Sequence, residues 1–329
     1  MNSWIWRLIA MLLTVFINGN SFAQELPEGY WSLEQAREVT TKTRTIMLDP
    51  DLSSLTGAER SAVEKLLRVG FIFNRLYEDS LHSQALDAYE KLKELHDGGE
   101  HTAALLDIYY RSKGPVTTTL QNQRTSFLPV IAEEPGKNVY PRGMSTALLD
   151  PFLEANPGKA AGLLNLRTVV RDNAKENVER DLAMLDRFPL LDGLHPGLRN
   201  QLEALHSGRD SSPWYALPYS VRWAPDIMQA YALILAAADD VKGEDPDFAA
   251  YLSLRARDIV SDDYEGGDAA WVRGRFNNLN AQIGSYEVYA DALYGVKSFF
   301  SLSLLLRDIE KSNELSAALG GLQAIQDSL

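Results

Sequence analysis

The 329 residues carry 32 Lys and Arg against 45 Asp and Glu, a formal charge of −13, and no cysteine. A field of that sign repels phosphate backbones and anionic headgroups, so nucleic acid is a poor partner, while cationic ligands such as free amines are favoured. With 45% hydrophobic and 23% charged residues the chain has apolar material for one large core or two ordinary ones, and the lack of cysteine excludes disulfide stapling.

The chain opens MNSWIWRLIAMLLTVFINGNSFA, with Arg7, an apolar run from Leu8 to Ile17, and small residues Ser21 and Ala23 flanking Phe22. This is the pattern of a secretory signal peptide, residues 1–23, cleaved before Gln24; about 10 apolar residues are too few to span a bilayer. The mature part, 24–329, is expected in a periplasm or outside the cell, with no membrane attachment once the leader is cut.

Thr56 and Glu59 form a capping box, and Val63, Leu66, Leu67, Gly70, Phe73 and Tyr77 recur at three and four, which predicts a helix packed on a core. Further helices are predicted over Gln84 to Leu95 and Thr102 to Tyr110. Between Gly114 and Gly143, Pro115, Pro129, Pro135 and Pro141 surround a β-prone VTTTLQ, which reads as extended chain and loops. A helix follows over Ala147 to Glu154, a strand in LRTVVRD (Leu166 to Asp172), and a helix over Lys175 to Arg187. WYALPYSV (Trp214 to Val221) is a second strand, broken or edged by Pro218. From Pro225 the pattern is nearly all helix: Ile227 to Ala238, then Phe248 to Val260 behind Asp245-Pro246-Asp247. SDDYEGGDAAWV reads as a turn-rich acidic stretch. Asp291 to Arg307 and Glu314 to Leu329 read as helices, the second interrupted by Gly320-Gly321. The sequence stops at Leu329 without a polar tail or cap signal, as expected of a fold that continues. The fold class is mainly α with a minor β component.

Metal and nucleophile motifs are missing. The histidines are His82, His96, His101, His195 and His206, without an H-E-x-x-H or H-E-x-x-x-H pattern. HDGGEH, His96 to His101, has suitable spacing, but Gly98-Gly99 would break the helix that presents both rings. The cluster Asp262, Asp263, Glu265 and Asp268 lacks the alternating ligands of a calcium loop and reads as an exposed acidic turn. There is no G-x-S-x-G and no phosphate-cradling G-x-x-x-x-G-K-[ST].

The segment IGSYEVYAD, Ile283 to Asp291, stands apart. Read as a helix start, Gly284 turns the chain, Ser285 caps, Tyr286 and Tyr289 share a face, and Glu287 and Asp291 are a like-charge pair at i,i+4 that costs a few tenths of a kcal/mol. Two readings stay open from the residues alone: half-buried tyrosines with solvated acids, or a ligand-binding turn.

NLNAQIGSYEVYADALYGVKSFFSLSLLLRD (Asn278 to Asp308), with SDDYEGGDAAW and YALPYSV before it, resembles the bacterial branch of the dipeptidyl peptidase III family of zinc metallopeptidases. The resemblance runs from about Leu55 to the end, and I-G-x-x-E-x-Y-x-D is its most specific block. It implies the N-terminal, substrate-binding part of a two-lobed metallopeptidase-like fold. It also implies that Glu287 holds the free α-amine of a peptide, that Tyr289 acts catalytically by bonding the carbonyl under attack, and that Asp291 supports them. The ligands expected are peptides with free N-termini. The family's zinc motif lies downstream of this block, so zinc is expected only in a longer protein, and this chain alone is expected to bind no catalytic metal and cleave nothing. The rival reading is a non-catalytic periplasmic peptide-binding or scaffold protein.

Overall fold

The computed structural model describes residues 26–133 and 138–328. The leader with its cleavage site, and Pro135, lie outside the described residues. In chain order the elements are α1 (Leu33–Thr40), α2 (Gly57–Leu81), α3 (Ala85–Glu94), α4 (Glu100–Ser112), β1 (Val116–Thr118), β2 (Arg124–Ser126), α5 (Thr146–Ala155), α6 (Pro157–Leu163), β3 (Thr168–Asp172) and α7 (Lys175–Arg187). They continue with α8 (Pro189–Leu194), α9 (Leu198–His206), β4 (Trp214–Pro218), α10 (Tyr219–Arg222), α11 (Ala224–Val241), α12 (Pro246–Ser261), α13 (Glu265–Arg273), β5 (Leu279–Glu287), β6 (Phe299–Leu306) and α14 (Ile309–Ser328). The protein is mainly helical, and its strands form three separate antiparallel pairs, β1–β2, β3–β4 and β5–β6.

The long helix α2 starts at the capping box read from the sequence. Thr56 Oγ1 accepts from the Glu59 amide at 3.1 Å, and the Glu59 carboxylate accepts from the Thr56 amide at 2.9 Å. Its stripe of Leu66, Val69, Phe73 and Leu76 is buried against α11 and β6. Phe73 meets Phe300 with ring centroids 4.9 Å apart, and Tyr77 meets Phe299 at 5.7 Å. These contacts seat the β5–β6 ribbon on the helix, while α12 packs on α11 and on β5. A smaller core gathers Ala36, Leu92, Leu105, Tyr109 and Phe127 from α1, α3, α4 and the end of the β1–β2 hairpin.

Four sequence expectations are corrected. The segment behind Ile283 is not a helix: Leu279, Ala281 and Ile283 are buried in alternation with Asn280 and Gln282, and residues 279–287 form a strand. The chain from Asp291 onward is likewise a turn followed by strand β6, in which Ser301, Ser303 and Leu305 face solvent between half-buried Leu302, Leu304 and Leu306. The stretch behind Tyr264 is the helix α13 rather than a turn, despite Gly266-Gly267. The last helix runs unbroken through Gly320-Gly321. WYALPYSV divides where Pro218 ends β4, and Tyr219–Arg222 forms a single helical turn.

Helix α14 stands off the body, with Leu315, Leu319 and Ile325 all more than half exposed. No helix among the described residues is long and apolar enough to cross a membrane.

Gly284 has φ +152°, and a Cβ there would lie 2.5 Å from the Tyr264 ring and 2.7 Å from the Tyr286 ring. Neither ring can retreat far, because Tyr264 is buried and packs edge-on to Tyr286 at 5.5 Å. Gly284→Ala is expected to destabilise by about 2 kcal/mol or more. Gly158→Ala, where a Cβ meets nothing within 4 Å, is the control. Thermal or urea unfolding of the two variants checks this.

Candidate functional site

Strand β5 ends in a bulge. Ser285 faces Phe300 and Glu287 faces Phe299, so Tyr286 is an extra residue in the ribbon. By alternation Glu287 would share the buried side of Ser285. The bulge re-aims it, as bulges do near functional sites, and both Tyr286 and Glu287 emerge at the surface.

Glu287 lines a cleft of about 360 Å³ whose walls include Arg255, Asp268, Trp271, Val272 and Tyr286. Its side chain makes no hydrogen bond or ion pair with any described residue. The opposite wall is held rigid by the Arg255 guanidinium, 2% exposed, which pairs with Asp258 at 3.1 Å and Asp268 at 2.6 Å. Tyr251, Tyr264 and Tyr286 surround it with ring centroids 5.5, 5.1 and 5.6 Å away. The Tyr286 hydroxyl donates to Asp268 at 2.5 Å. Gly267 is required here, because a Cβ would sit 2.1 Å from the Asp258 carboxylate and 2.9 Å from the Arg255 guanidinium carbon. Arg255, Asp258, Asp268 and Glu287 sum to an excess of negative charge, the sign that attracts an ammonium group.

Tyr289 is 79% exposed and carries no hydrogen bond; its electrostatic neighbour is Tyr77 of α2. Tyr286 and Tyr289 therefore do not share a face, contrary to the helical reading. Nor are Glu287 and Asp291 a surface like-charge pair. Asp291 is 5% exposed and organises the β5–β6 loop. Its Oδ1 accepts from the amides of Leu293 (2.9 Å) and Tyr294 (3.2 Å), and its Oδ2 from those of Val296 and Lys297 (both 2.9 Å) and from the Tyr140 hydroxyl (2.8 Å). Burial pushes its proton affinity up, but these donors outweigh burial and hold the carboxyl below its ordinary range.

The base of the same loop is gripped by the corner between α6 and β3. Lys297, with no exposed surface, donates to Leu163 O (2.6 Å), Asn165 O (2.8 Å) and Thr168 Oγ1 (2.9 Å). Ser298 N donates to Leu166 O at 3.0 Å, and Arg167 Nε to Ser285 O at 3.1 Å. The Arg167 guanidinium stacks 3.6 Å from the centroid of Tyr264.

The acidic stretch is less exposed than the sequence suggested. Asp262 accepts from Ser220 N at 3.1 Å and Ser220 Oγ at 2.7 Å, and Asp268 is engaged as above; Asp263 and Glu265 are solvated. His195 Nε2 lies 2.7 Å from Ser220 Oγ. This Ser-His-Asp grouping is no hydrolytic triad, since Ser220 has no exposed surface and Asp262 bonds the serine rather than orienting the imidazole. His96 contacts Thr102 Oγ1 at 2.7 Å and His101 contacts Trp31 O at 2.8 Å, both local structural bonds. No group of three or more His, Asp or Glu side chains among the described residues is arranged to hold a metal ion, so these residues do not fit a zinc site.

Two solved bacterial structures share this architecture. Dipeptidyl peptidase III from Caldithrix abyssi matches with a TM-score of 0.65 and 24% identity over 85% of this chain, and that from Corallococcus sp. strain EGB with a TM-score of 0.69 and 20% identity over 91%. The fold is dipeptidyl peptidase III-like. The chain spans 45% and 48% of the lengths of those two structures. It is also 24% identical over 203 residues to Nudix hydrolase 3 of Arabidopsis thaliana, a match covering 60% of this chain and 23% of that protein. No protein-family model matches.

Sequence reasoning singled out Glu287, Tyr289 and Asp291 but missed Arg255, Lys297 and Tyr140. Two of these left a signal: Arg255 interrupts the buried stripe Phe248, Leu252, Ile259 of α12, and Lys297 stands alone before the buried pair Phe299-Phe300. A cation at a core position is retained only where partners surround it.

Burial raises the Asp262 carboxyl to about 7, with the Ser220 bonds opposing. Below the ordinary carboxyl range both folded and unfolded chains hold this proton. As pH rises from about 4 to about 7 only the folded chain keeps it, so this contribution to stability is lost through that window. Asp262→Asn is expected to flatten the fall of melting temperature between pH 4 and 7, measured by calorimetry across that range.

Proposed function

We propose that this chain binds peptides by their free N-termini, as the substrate-gripping part of a dipeptidyl peptidase III-like exopeptidase. The observation that carries the reading is Glu287, an exposed carboxylate with no partner, re-aimed by a bulge into an acidic, aromatic-walled cleft within a dipeptidyl peptidase III-like fold. An exopeptidase that counts from the N-terminus requires a fixed anion to register the ammonium. A charge-assisted hydrogen bond positions the substrate and rejects blocked termini. Glu287 fills that role. Tyr289, a phenol two residues on, would donate to a peptide carbonyl, and Asp291 fixes the turn that follows both.

Hydrolysis requires groups that the described residues lack. Catalytic zinc would come from polypeptide outside this sequence, in keeping with relatives about twice as long, and the chain alone acts as a binder. Export to a periplasm, after removal of the leader, is part of the same reading.

Isothermal titration of a short peptide and its N-acetylated counterpart tests the reading. The free peptide is expected to bind about tenfold more tightly, and Glu287→Gln to abolish that preference while leaving the acetylated peptide unchanged. Equal binding of both peptides to the unaltered protein would refute it.

A further inference from the structure

Lys297 does no work in the cleft itself. It has no exposed surface and cannot touch a ligand, yet it buries an ammonium, which is unfavourable unless its donors are met by acceptors. Its three acceptors come from one short segment, Leu163 to Thr168, the corner between α6 and β3. The same corner holds the loop at its other end, where Arg167 Nε bonds Ser285 O, and beside Lys297, where Leu166 O accepts from Ser298 N. Between these anchors Asp291 takes up the loop's own amides. The backbone from Ser285 to Ser298 is therefore fixed at both ends and in the middle. Glu287 and Tyr289, whose side chains bond to no described residue, lie on the intervening span.

We propose that Lys297 is a positioning residue: by anchoring the β5–β6 loop to the α6–β3 corner it sets the presentation of Glu287 and Tyr289, and thereby the site's grip on a peptide's N-terminal ammonium. The inference rests on the peptide-binding reading above. A side chain placed to about half an ångström binds selectively, and one on a loosened loop does not. Removing the ammonium takes the donor from Leu163 O, leaves Asn165 O only the longer bond from Thr168 Oγ1 at 3.3 Å, and loosens the loop end that follows Tyr289. Burial pushes the Lys297 ammonium down to about 7 while Asp291 pulls it up; a neutral amine would offer two hydrogens to three acceptors.

The test uses the full chain with Lys297→Met, which keeps the apolar stem, and with Thr168→Val and Thr168→Ser, which remove and restore one acceptor remote from the cleft. Two readouts are taken well below each variant's melting temperature: the backbone amide resonances of residues 287–291, and the affinity ratio between a free and an N-acetylated peptide. Lys297→Met is expected to shift those resonances and to cut the ratio about tenfold; Thr168→Val should do so more weakly, and Thr168→Ser should resemble the unaltered protein. A lower melting temperature with unchanged resonances and ratio would overturn the proposal, leaving Lys297 a core residue only. The two failures separate cleanly. A lack of discrimination in the unaltered protein strikes the peptide reading, whereas unmoved amide resonances in Lys297→Met strike the anchor.

Discussion

Five hydrogen bonds into one carboxylate shape the part of this molecule that holds the candidate site. Asp291 gathers four backbone amides of the β5–β6 loop and the hydroxyl of Tyr140, a residue 151 positions away in sequence. A buried carboxylate without donors would take up a proton or destabilise the fold. With five donors it remains charged and forces the loop into one path. The loop closes over the ends of two strands, and those strands are seated by aromatic contacts on α2, so the position of Glu287 derives from the longest of the described helices through a short series of contacts.

The opposite wall of the cleft is built on a buried cation. Arg255 projects from the core stripe of α12 into three tyrosine rings and two carboxylates, and the planar guanidinium satisfies both kinds of neighbour. One partner, Asp268, is shared with Tyr286, the residue displaced by the bulge. The bulge that exposes Glu287 is thus tied to the cleft wall. The cleft therefore sets charged groups, Arg255, Asp268 and Glu287, among aromatic and apolar walls.

Much of the helical part of this fold is visible in the sequence, because its determinants are local. The Thr56–Glu59 box and the three-and-four stripe behind it place α2, and Lys175–Arg187 is read to the residue. The β5–β6 ribbon was misread because FFSLSLLL contains no β-branched residue and leucine is a good helix former. Its alternation of Ser and Leu carried the strand signal, and that signal was outweighed by apolar density. The candidate site was legible only as three residues of one block. Arg255, Asp268, Lys297 and Tyr140 reach it from other elements, and pairings over such separations are decided by packing that no local pattern encodes. The Asp262 carboxyl looked solvated for the same reason: Ser220, which buries it, lies 42 positions upstream.

Helix α14 exposes the apolar side chains of Leu315, Leu319 and Ile325 to solvent. Surfaces of that kind adhere when molecules approach, and what keeps molecules apart in dilute neutral buffer is their shared negative charge. With a sequence pI near 4.9 that repulsion fades in mildly acidic solution. Acid or added electrolyte thus removes the electrostatic barrier over these side chains and leaves them as adhesive surface.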